Sequence, residues 1–158
     1  MDRRHRSGLL LVAAAGLCLT VTLGAVAHEG ATGVVKERMD LMKALGRASR
    51  GLGDMFKGEA PYDEAMVLEH ATVLAESSPK MLALFPEGSN EHPSETLAVT
   101  WERWDEFTEA VRASETESAA LLEVARSNAA DQNAVRAQFA RTGRTCSNCH
   151  EVFRQPKD

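Results

Sequence analysis

From about residue 32 onward, apolar residues recur at intervals of three and four. No stretch alternates apolar with polar residues long enough to make a strand. That periodicity confines the chain to helices packed on helices. Leu41, Leu45, Ala48, Leu52 and Met55 form one apolar stripe, predicting a first helix over about 32–57 that Gly58 ends. Pro61 and Asp63 open a second helix with Val67, Ala71 and Leu74 on one face. Pro79 should interrupt it near Ser78, leaving a last turn from Met81 to Phe85. A turn-rich loop follows to Pro93. A third helix is expected from about Ser94 to Arg126, unbroken through 113–118, with Leu97, Trp101, Trp104, Phe107 and Val111 inward. The fourth runs from about Asp131 to Arg154, with Val135, Phe139, Thr142, Cys146, Cys149 and Phe153 along its inner side. Four amphipathic helices with short or moderate connections imply an all-α, antiparallel four-helix bundle.

The start of the chain lies outside that pattern. Asp2-Arg3-Arg4-His5-Arg6 is a basic segment, Leu9 to Val26 is an apolar run, and Ala25-Val26-Ala27 is an A-x-A cleavage site. Residues 1–27 therefore read as a secretory signal peptide, and 28–158 as the bundle domain of an exported, periplasmic protein. An uncleaved anchor is the alternative, since the apolar run approaches spanning length. The small residues at the site and the polar segment beyond it favour cleavage, with no membrane anchor afterwards. The whole chain has a net charge of −5, and losing Arg3, Arg4, Arg6 and Asp2 leaves −7. Such an acidic balance argues against nucleic acid and anionic membranes as partners. It would suit a basic protein partner, although many solvated surfaces are simply acidic.

Beyond Cys18 in the leader, two cysteines remain, and both fall in Cys146-Ser147-Asn148-Cys149-His150. In an oxidising compartment two cysteines could close a disulfide. The histidine directly after them points elsewhere. C-x-x-C-H lets each thiol add across a haem vinyl group, and it places an imidazole nitrogen to bind the iron. A zinc site would need further ligands, which His70 and His92 are not arranged to supply. The expected cofactor is one covalently attached haem c on Cys146, Cys149 and His150, with the motif in the C-terminal helix.

With these residues in place the chain resembles the cytochrome c-prime superfamily, the class II c-type cytochromes. The resemblance rests on Arg38, on Lys57 to Asp63, on Trp101 and Phe107, and on Cys146 to Arg154. Phe153 stands where that family often has Tyr. The resemblance implies a four-helix bundle with its haem motif in the last helix. It aligns the family's distal position with Met42, which implies the low-spin branch with a Met thioether as second axial ligand. Met39 lies one turn earlier on the same face and is the rival. Either Met could instead simply fill the core.

Arg38 sits one turn before Met42, where a guanidinium could pair with a haem propionate or stay solvated. Arg154 follows His150 by one turn and matches a family arginine near the proximal face; it could also serve the helix C-terminus. His70 and His92 read as surface residues. His/Met ligation implies an electron carrier that serves periplasmic redox partner proteins and is not an enzyme. The alternative is a five-coordinate haem protein that binds nitric oxide or carbon monoxide. The resemblance also implies a homodimer through the first two helices, whereas Lys43, Arg47 and Arg50 read equally well as a solvated face.

Overall fold

The computed structural model describes residues 30–156, and the leader lies outside them. Four long helices make the bundle: α1 (Gly33–Lys57), α2 (Glu64–Ser77), α4 (Trp104–Asn128) and α5 (Gln132–Phe153). A single turn, α3 (Val99–Glu102), precedes α4. Among the described residues the sole β pairing is an isolated antiparallel bridge between Thr96 and Arg154.

Local chemistry fixes the ends. Gly58 adopts φ 77°, a left-handed conformation that costs glycine little, and its N–H caps carbonyls of the last turn of α1. The Asp63 side chain accepts from Met66 N at 3.0 Å, and that of Asp131 accepts from Asn133 N and Ala134 N, also at 3.0 Å. Each such cap contributes about 1 kcal/mol. Pro79 interrupts α2 as expected, and the chain goes on as 3-10 turns over Ser78–Lys80 and Leu82–Leu84.

Around the bundle α1 packs on α2, α2 on α4, and α4 on α5; α5 returns beside α1, and those two approach least closely. Two apolar clusters divide the interior along its length. One joins Leu52, Val67, Leu74, Leu121 and Val135, with Phe56, Tyr62 and Phe139 at its edge. The Tyr62 hydroxyl donates to Ala129 O at 2.6 Å, tying the α1–α2 turn to the α4–α5 turn at that end. The other joins Met81, Phe85, Phe107, Val111 and Phe153. Burying each of these larger side chains stabilises the fold by about 1.5–3 kcal/mol.

The third helix departs from expectation. Residues 94–98 are not helical, because Ser94 accepts from Arg38, and Leu97 N donates to Phe153 O at 3.0 Å. The helix then breaks at Arg103, with φ −122° and ψ 49°, which resets its phase. Phe107 and Val111 are each 2% exposed, but Trp104, expected inside, is 37% exposed and only leans on Phe107. From Trp104 to Asn128 the helix is continuous, including the polar stretch 113–118.

His70 is likewise not a plain surface residue. It is half-buried, and its ring lies over Gly51 so closely that a Cβ there would sit 2.2 Å from Nε2. Gly51→Ala should therefore be near neutral alone, because displacing the ring offsets the gain in helix propensity. In a His70→Ala background the same substitution should add about 1 kcal/mol. Thermal denaturation of the four proteins of that cycle measures the difference; equal effects in both backgrounds would refute the packing argument.

Candidate functional site

Cys146, Cys149, His150 and Phe153 are spaced three, one and three along α5, so they share one helical face. Thr142, 1% exposed, and Phe153, 6% exposed, anchor that face above and below the three chemical groups. Gln138 and Thr142 hold α5 against α4. Gln138 Nε2 donates to Glu117 O at 3.1 Å and to Glu117 Oε2 at 2.6 Å. The Thr142 hydroxyl donates to Glu117 O at 3.0 Å. The register of the Cys-x-x-Cys-His segment is thus set one turn before it begins.

Both thiols are free and half-buried. Burial pushes the Cys149 thiol up to about 11, and the neighbouring Cys146 adds to the shift. Burial also raises Cys146, against hydrogen bonds with Thr145 and Ser114 that lower it. At neutral pH both sulfurs stay protonated, which keeps them poor nucleophiles towards disulfides. An S–H that adds across a vinyl double bond is the chemistry such a pair can offer.

His150 is half-buried and lines an open cleft of 440 Å³ with Ser147, Glu151, Arg154, Gln155 and Pro156. Arg154 follows the last turn of α5 and is fixed by its bridge to Thr96. Its Nε is buried without a hydrogen-bond partner in the protein. A buried N–H of this kind costs about 1–3 kcal/mol unless an acceptor is supplied. A carboxylate of a bound haem is an acceptor of the right charge. The free thiol pair, the imidazole on the same face and this orphaned donor together fit a covalently attached haem.

Across from α5, the apolar wall comes from α1. Leu41, Met42 and Leu45 pack against the Phe85–Phe107–Phe153 cluster, as do Cys149 and Val152. The structure thus brings Met42 to the same interior as the haem motif, while Met39 is half-buried and not among the side chains packed there. Phe107 links the elements, with ring centroids 4.7 Å from Phe85 and 5.3 Å from Phe153.

Arg38 is not solvated. It is 3% exposed, and burial lowers the pKa of its guanidinium, which nonetheless keeps its charge. Nη1 donates to Leu84 O at 3.0 Å and to Ser89 Oγ at 2.9 Å. Nη2 donates to Ser89 O and to Ser94 Oγ. The guanidinium also lies 4.7 Å from the Phe85 ring centroid. All four terminal N–H groups are thereby engaged, so a haem propionate would have to meet the Nε edge. The clamp was invisible in the sequence; the one local hint was a charged residue on the flank of an apolar stripe.

A family profile described as Cytochrome C′ matches residues 33–154. A cytochrome c′ of Rhodopseudomonas palustris is 29% identical over 138 residues, covering 87% of this chain and 92% of its own. The solved cytochrome c prime from Shewanella frigidimarina superposes with a TM-score of 0.74 at 29% identity, covering 78% of this chain and 94% of that one. A ferrous variant of cytochrome c prime from Alcaligenes xylosoxidans, solved with bound NO, gives a TM-score of 0.69 at 25% identity; it covers 78% of this chain and 94% of that one.

Proposed function

The chain belongs to the cytochrome c′ family, and from that premise we propose that it is a periplasmic haem c protein, not an enzyme, whose ferrous state binds nitric oxide or carbon monoxide. Like other members of the family it carries a covalently attached haem c. When bound, the haem supplies an iron that cycles between ferric and ferrous and takes up a diatomic ligand. Cys146 and Cys149 are the residues that hold it through thioethers, and His150 supplies the imidazole nitrogen. Arg154 Nε offers a hydrogen bond to a carboxylate at the same end of α5.

The observation that carries the reading is the family match over the whole bundle, read together with the NO complex of a relative. The wall supports it. Leu41, Met42 and Leu45 with Phe107 and Val111 form an apolar surface that admits a small neutral gas and gives anions and water no partner. In this reading Met42 fills the wall.

One observation favours a second reading, a six-coordinate His/Met electron carrier. Met42 packs in the same cluster as Cys149, one of the two thiols that would hold the haem. Optical spectra of the ferrous protein with and without carbon monoxide separate the two. Gas binding predicts ready uptake by the wild type and little change on Met42→Leu. A low-spin wild type that refuses carbon monoxide, and a Met42→Leu variant that accepts it, would establish the electron carrier instead.

A further inference from the structure

The net charge of the chain conceals a division between the two sides of the bundle. Helices α1 and α5 together carry nine Lys and Arg against four Asp and Glu; α2 and α4 carry two against nine. Apart from Arg38, the cations of α1 and α5 are exposed. Lys36, Lys43, Arg47 and Arg50 are spaced seven, four and three, which makes one solvent-facing stripe along α1. Arg136 and Arg144 extend the positive field onto α5. Of the neighbouring pairs of long helices, the loosest packed, α1 and α5, is therefore the positive pair; Met42 lies on one and Cys149 on the other, in a shared cluster.

We infer that the α1–α5 side is the docking surface for an acidic protein partner that exchanges electrons with the haem. The inference rests on the proposed function, because a gas-binding ferrous state requires a donor that gives one electron to the ferric haem. Charge complementarity selects the partner. Within a Debye length, about 8 Å at physiological salt, an approaching protein senses the nearby helices more than the distant ones. An acidic patch is drawn to α1 and α5, whereas a basic patch is drawn to the carboxylates of α2 and α4 instead. This inverts what the net charge alone would suggest.

The test uses small oxidants as probes of the local field. In each reaction one electron leaves the ferrous haem; hexacyanoferrate(III) becomes hexacyanoferrate(II), or tris(phenanthroline)cobalt(III) becomes cobalt(II), and no proton moves. Stopped-flow rates on the ferrous holoprotein are followed as salt rises. The docking surface predicts that the hexacyanoferrate rate falls about 3- to 10-fold between low and physiological salt and that the cobalt rate rises. Arg47→Glu with Arg144→Glu should remove or reverse that dependence. Arg112→Glu with Arg126→Glu on α4 should leave it in place. The opposite salt dependence in the wild type would overturn the proposal, as would equal effects of the two double variants.

Two further outcomes would also overturn it. Binding to phosphatidylglycerol vesicles that persists at physiological salt would make the surface a membrane site. A low-salt dimer in sedimentation, lost in Arg47→Glu with Arg144→Glu, would assign it to a second copy. The optical spectra of these surface variants should match wild type, so failure of the gas-binding reading is seen separately from failure of the docking surface.

Discussion

A Cys146→Ala, Cys149→Ala double variant is expected to lose covalent haem completely. Acid-acetone extraction should free any haem that remains, and the intact mass should lack the haem increment. Each single variant should keep one thioether and an intermediate yield. The structural effect should be large too, because both thiols are half-buried and Cys149 packs in the cluster that holds Met42 and Phe107, so a haem attached there would be part of the interior. Without the haem that interior must collapse or hydrate. A loss of at least about 3 kcal/mol follows, or roughly 10 °C in Tm for a domain of this size. Haem that survives extraction on the double variant would refute the attachment sites.

Arg38→Ala is expected to cost about 3–5 kcal/mol, far more than an arginine in the second turn of a helix normally would. It strands Leu84 O, Ser89 O and the Ser89 hydroxyl, leaves the Ser94 hydroxyl with only Thr96 N, and removes the cation from the Phe85 ring. Arg38→Lys keeps the charge but cannot span these acceptors, so it should recover less than half of the loss. The damage should be local first. The segment 86–93 has lost its tether, and limited proteolysis should cut there in Arg38→Ala under conditions that leave the wild type whole. Equal resistance in both would show that the clamp does not hold the loop.

The helical stripes of α1, α2 and α5 were legible in the sequence because their burial follows local periodicity, as Ala48, Leu52, Val135 and Thr142 show. The motif was legible because its chemistry is contained in five consecutive residues. What stayed hidden depends on contacts across the chain. Arg38 looked like a propionate ligand or a solvated charge; its acceptors lie 46 to 56 residues away, and nothing in α1 announces them. His70 looked exposed because the space that receives its ring is created by Gly51 on another helix. Trp104 reads as internal only on an unbroken helix from Ser94; the break at Arg103 makes it the first residue of α4, and at that end its ring is partly exposed while Phe107 and Val111 stay buried. The charge division is hidden in the sequence for a related reason. A net charge sums over helices that face opposite ways.

The placement of the two tryptophans has an optical consequence. Trp101 donates its indole N–H to Phe85 O at 3.0 Å, and the Trp104 ring lies 5.4 Å from that of Phe107. Both indoles therefore touch the aromatic cluster against which Cys149 packs. A haem held at that cysteine absorbs where indole emits, so the native protein should be nearly dark when excited in the ultraviolet. Emission should grow as the bundle opens and the indoles move away. The molecule thus contains its own gauge of how far the haem stands from α3 and α4, readable without any added label.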